Sequence, residues 1–231
     1  MKNSRWTVAF TSLAVLGLAS VAPNAFPAAQ AGHGSLHQFG LLLILPAAAL
    51  LAALFLFSRA RGDHRNSRAI LYGALAGSVA TLALEAVRYP GFLLGFMPGN
   101  LPELMGVLLL DRFAQGPSAA SNLAGYAYHF WNGASFGIIF AVLAGVRRPV
   151  WWSTTYGVLI GVGFMASPVV SSLGIGLFGL DFGWQFAATV VTAHVAWGAA
   201  FGYLLRFAAS AGAAAVAEGE LGSCSIASLK T

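Results

Sequence analysis

The chain has 231 residues, 58% of them hydrophobic and only 8% charged, with a mean hydropathy of +0.76. A soluble domain carries roughly 25% charged residues, so seven acids and twelve bases exclude a cytosolic enzyme and a disordered chain. The net charge of +5 does not make a nucleic-acid binder, because the bases are too few and too scattered to track phosphates. The single cysteine, Cys224, excludes a disulfide framework.

Six apolar segments are long enough, or nearly so, to span a bilayer, which takes about 20 residues. They fall at 6–22, 37–57, 69–88, 120–145, 150–172 and 184–206. The runs are continuous and rich in Ala, Leu and Gly, without the two-residue alternation of membrane strands. The expected fold is all-α, a polytopic membrane helix bundle of five or six transmembrane helices with a duplicated helical hairpin.

In the first segment, Lys2 and Arg5 precede an apolar stretch that Pro23 and Pro27 are expected to break. Ala29-Gln30-Ala31 has the small-x-small form of a signal-peptidase site. Residues 1–31 therefore read either as a cleaved signal peptide or as a retained first transmembrane helix. Residues 32–207 read as the bundle. The 208–231 tail, rich in Ala, Gly and Ser, reads as a fraying helix end followed by disorder on the cytoplasmic side.

His33 and His37 stand four apart at the entrance of the second segment. If that stretch is helical they share a face and form a candidate metal pair, though two ligands alone make a weak site. A hydrogen-bonding pair at the interface is the simpler reading. Glu85 and Arg88, three apart near the end of the third segment, are expected to pair. The loop at 89–118 carries Pro90, Pro98, Pro102 and Pro117. Asn100 is expected to cap a short helix over 101–113, with Leu104, Met105, Leu108 and Leu109 on one face. Such a helix lies flat in the outer interface or dips into the bundle; a simple amphipathic connector is the preferred reading.

Basic residues set the orientation. Ten of the twelve bases fall on one side by alternation, including Arg59, Arg61, Arg65, Arg68, Arg147 and Arg148. Only Arg88 and Arg112 lie opposite. The positive-inside rule makes the ten-base side cytoplasmic, with the C-terminus inside a bacterial-type inner membrane.

Two late segments share a pattern. His129, Gly133, Phe136 and Gly137 have the spacing H-x3-G-x2-F-G, and so do His194, Gly198, Phe201 and Gly202. Each is preceded by Y-G-x-L-x-G, at Tyr72 to Gly77 and at Tyr156 to Gly161. This reads as a repeat, with units at 69–145 and 150–207. Both histidines lie about ten residues into their segments, so ~15 Å deep at 1.5 Å per residue. The glycines four apart form stripes that let helix backbones approach in lipid.

An intramembrane histidine is a functional candidate by default. His129 and His194, with Gly133 and Gly198 making room, are the candidate cofactor-binding residues. Imidazole ligates haem iron, copper or zinc, so haem b or a transition metal is the candidate cofactor. Trp131, Phe136, Trp197 and Phe201 are candidate walls. A haem would be non-covalent, because no CxxCH site exists. Gly133-Ala134-Ser135-Phe136-Gly137 fits G-x-S-x-G, but that motif needs a strand-to-helix elbow.

The Y-G-x-L-x-G and H-x3-G-x2-F-G helices resemble small uncharacterised bacterial polytopic membrane proteins with Gly-rich helices and a histidine in a late helix. The resemblance covers about residues 70–207 and implies no activity. The expected function is a non-enzymatic ligand-binding protein or complex subunit. The alternatives are a small-solute or metal-ion transporter and a purely structural subunit. The expected partners are the lipid bilayer, other membrane subunits or further copies of the chain.

Overall fold

The computed structural model describes residues 5–228, with side chains over 6–212. It is an all-α bundle, with no strand among the described residues. Helix α1 is Arg5–Gln30; α2, Leu36–Phe39, continues through a π turn at Gly40–Ile44 into α3, Leu45–Ala60. Helix α4 is His64–Leu93, α5 Leu101–Leu109, α6 Ala119–Ala144, α7 Val150–Met165, α8 Pro168–Ser172 and α9 Trp184–Ser228. Six stretches are long and apolar enough to cross a membrane: Trp6–Gln30, Leu36–Ala60, His64–Leu93, Ala119–Ala144, Val150–Ser172 and Trp184–Gly212. Their outer faces carry exposed apolar side chains such as Leu42, Leu82, Leu123 and Leu159, as lipid contact requires.

Several boundaries differ from the sequence expectation. Helix α1 does not break at Pro23 and Pro27 but runs through both to Gln30. Away from water the backbone has no solvent partner for its polar groups, so the helix persists. Tyr128 Oη donates to Ala22 O at that level (2.6 Å). The π turn has a local cause. Pro46 brings no N–H to the carbonyl four residues earlier, and the Leu45 N–H bonds Gly40 O across five residues instead. The fifth span is interrupted: α7 stops at Met165, and Ser167 caps α8 by accepting from Val169 N. Helix α9 runs on through Ser228, beyond the span expected to end near 206. Alanine, the best helix former, dominates that stretch.

The core helices lie side by side. Helix α9 packs against both α4 and α7, α4 against both α9 and α6, and α1 against α6 and α3. Two glycine-lined crossings hold this arrangement. Gly73 lies on the backbone of Gly137, and Gly77 on that of Gly133. In the other hairpin Gly157 meets His194 O and Gly198, and Gly161 meets the His194 ring. The two hairpins are thus out of step. Gly137 faces Gly73, but its motif counterpart Gly202 faces Ser153, one turn before Gly157. That slip seats the His194 imidazole over Gly161, while Gly133, not His129, meets Gly77.

The expected helix over 101–113 ends at Leu109 and is followed by a single 3-10 turn, Phe113–Gln115. It is not a loose connector. Gly106 lies on Ser121 O and Gly125 on Pro102 O, so α5 packs closely on α6 and buries Met105.

Candidate functional site

Helices α1, α4, α6, α7 and α9 line a partly open cavity of ≈ 470 Å³, with α5 and α8 at one end. Its volume falls within the range of small-molecule sites. Most of the wall is apolar, from side chains such as Phe26, Met105, Phe136, Phe164 and Trp197. Polar groups on it include Arg88, His129, Asn132 and His194. Both candidate histidines therefore face one space.

The two imidazoles are held differently. His129 Nε2 lies 2.9 Å from Glu85 Oε1, but at an angle too oblique for a well-aligned hydrogen bond. His194 Nδ1 donates to Val190 O, one turn earlier on α9 (2.8 Å). With Nδ1 carrying the proton, the Nε2 of a neutral His194 bears a lone pair. Trp197 Nε1, three residues on, donates to Gly77 O (3.1 Å) and ties α9 to the glycine crossing of α4 and α6.

Behind His129 stands a buried ionic network. Arg88 grips Glu85 with two parallel bonds, Nε to Oε1 at 2.7 Å and Nη2 to Oε2 at 2.6 Å. Nη2 also donates to Asn100 Oδ1 (2.9 Å), and Asn100 Nδ2 to Tyr126 Oη (3.4 Å). The fork geometry is the strong form of an arginine–carboxylate pair. Arg88 Nη1 is buried and has no acceptor. The side chain of Arg88 is 5% exposed and those of Glu85 and His129 are each 13% exposed. The Glu85–Arg88 pair matches the sequence expectation. The role of Asn100 does not, because its side chain makes no cap bond to α5 and serves Arg88 instead.

The remaining candidates separate. Gly133 lies on the cavity wall and also against Thr81 and Gly77 O. Gly198 is a packing residue set on Ser153 O and does not line the cavity. Of the four expected aromatic walls, Phe136 and Trp197 line it and Trp131 and Phe201 do not. His33 and His37 do not share a helix face. His33 is exposed in the turn after α1, and His37 opens α2. His37 Nδ1 donates to Leu109 O (2.8 Å), satisfying one of the carbonyls that α5 leaves open at its C-terminal end. No group of three or more His, Cys, Asp or Glu residues able to hold a metal occurs among the described residues.

The contact between His129 and Glu85 was missing from the sequence reading. A signal for it existed in the counting. Glu85 lies eight residues before the end of α4, and His129 ten residues after the start of α6. Measured from the shared loop, both are ~12–15 Å deep at 1.5 Å per residue.

Fold and site together define a multi-pass, all-helical membrane protein with a partly open cavity flanked by a buried ion pair. No family model, curated protein or solved structure matches the chain.

Proposed function

We propose that the protein binds a small solute inside the membrane and serves as a carrier or as the binding subunit of a complex, without catalysis of its own. The observation behind this reading is the cavity bounded by five of the membrane helices, with His129, His194 and Arg88 on its wall. Charged groups within a bilayer are costly, and a functional site is the default account of them. The reading includes a bacterial-type inner membrane, a cytoplasmic C-terminus and descent of the two hairpins from a duplicated unit.

A second reading is a haem b or transition-metal site. It is favoured by His194, whose Nδ1 bond to a backbone carbonyl is the arrangement that orients a ligating imidazole. It is weakened by His129, whose Nε2 is turned to Glu85.

Native mass spectrometry, with an absorbance spectrum of the same preparation, separates the readings. The parent is expected to carry a small molecule that Gly163→Leu excludes. Gly163 lies on the cavity wall, and a Cβ there meets nothing within 4 Å, so the larger side chain fills open space. A Soret band would establish the haem reading. Identical spectra showing only annular lipid on both proteins would overturn the binding reading.

A further inference from the structure

The charges on the cavity wall are of one kind. The titratable side chains that line it, among the described residues, are Arg88, His129 and His194. All three are basic. Glu85 does not line the cavity; it stands behind Arg88 and His129 and is engaged by both. Its Oε1 accepts from Arg88 Nε and lies 2.9 Å from His129 Nε2, and its Oε2 accepts from Arg88 Nη2. A cationic ligand would find no free carboxylate here.

The unused hydrogen-bonding capacity has the matching sign. Arg88 has five N–H groups. Three are taken, one by Asn100 and two by Glu85. Both protons on Nη1 remain, on a buried atom with no acceptor. Such a group carries a desolvation cost that a bound acceptor would remove. Glu85 and Asn100 fix the guanidinium plane. On the same wall lies the Asn132 amide, whose Oδ1 has no donor. The amide is engaged by Tyr128. The rest of the wall is aromatic and aliphatic.

Resting on the binding reading above, we infer that the cavity takes a small monocarboxylate with an apolar body, its carboxylate toward the basic wall at Arg88 and its body against Phe136, Phe164 and Trp197. His129 on α6 and His194 on α9 add two further basic groups to the same wall.

The test uses one body with three heads. The full chain in nanodiscs is titrated with tritiated benzoate in a scintillation proximity assay, with empty nanodiscs as the background. Benzylamine and benzyl alcohol serve as unlabelled competitors. Benzoate is expected to bind saturably, with both competitors at least about tenfold weaker, the scale of one charge-assisted hydrogen bond. Glu85→Gln/Arg88→Gln, which keeps the hydrogen-bonding outline without either charge, is expected to lose benzoate by a similar factor. Its melting curve and elution profile check the fold. Gly163→Leu is expected to abolish binding. Benzylamine competing as well as benzoate, or a folded double variant binding benzoate like the parent, would overturn the carboxylate assignment. So would absence of saturable benzoate binding. If the parent still carries a molecule that Gly163→Leu excludes, the cavity reading survives that result; if neither protein does, both fail together.

Discussion

Arg88 shows how much one side chain can be asked to do. It grips Glu85, positions Asn100 and faces the cavity. Removing one partner of such a pair strands the other as an uncompensated buried charge. Arg88→Leu is therefore expected to cost about 3–5 kcal/mol in equilibrium unfolding in micelles, and Glu85→Leu/Arg88→Leu to recover most of it. A double variant as unstable as the single would show that the pair is not the source. Glycine gives a second contrast. A Cβ on Gly77 would collide with Gly133 O, whereas one on Gly163 meets nothing. Gly77→Val is thus expected to lower stability by about 1–3 kcal/mol or more, and Gly163→Ala to leave the melting midpoint near that of the parent. The i, i+3 spacing made the Glu85–Arg88 pair legible in the sequence. The Asn100, Tyr126 and His129 contacts were not legible, because each joins residues on different elements. Asn100 also stands where an N-cap belongs, and that local signal masked its long-range partner.

At the scale of elements, the spans were readable because lipid leaves a backbone no alternative to the helix. What was not readable was how proline acts in that setting. Pro23 and Pro27 carry the signal that ends a soluble helix, and here α1 runs through both. Pro46 and Pro168 alter their helices, one by a π turn and one by a restart. The short helix α5 was legible as a helix but not as a packed one, since its fit depends on glycines that meet across the α5–α6 contact. His37 anchors its far end through Leu109 O. His37→Ala is expected to cost about 1 kcal/mol. Amide exchange should quicken over 101–109 and not over α4 or α9. Unchanged exchange in α5 would mean that its packing on α6 suffices.

At the scale of the whole molecule, the bundle has two unlike ends. One carries Arg61 over Phe57 and Arg148 over Trp152, each 5.0 Å from the ring centroid, pairs suited to a headgroup layer. The other carries the turn after α1, α5 and α8. Reporter fusions after Arg65 and after Arg148 are expected to read cytoplasmic, and fusions within 100–115 periplasmic. A periplasmic signal after Arg65 would invert the map. The one-turn slip between the glycine crossings bears on what this bundle can recognise. Had both hairpins met in the same register, the cavity would present matching histidines on its two sides, and a molecule could lie in it either way round. Instead one side offers an imidazole beside an ion pair, and the other an imidazole seated over Gly161 and tied to Val190 O. A guest with identical ends gains nothing from that difference, whereas a guest with a distinct head and tail has one orientation in which both ends are matched.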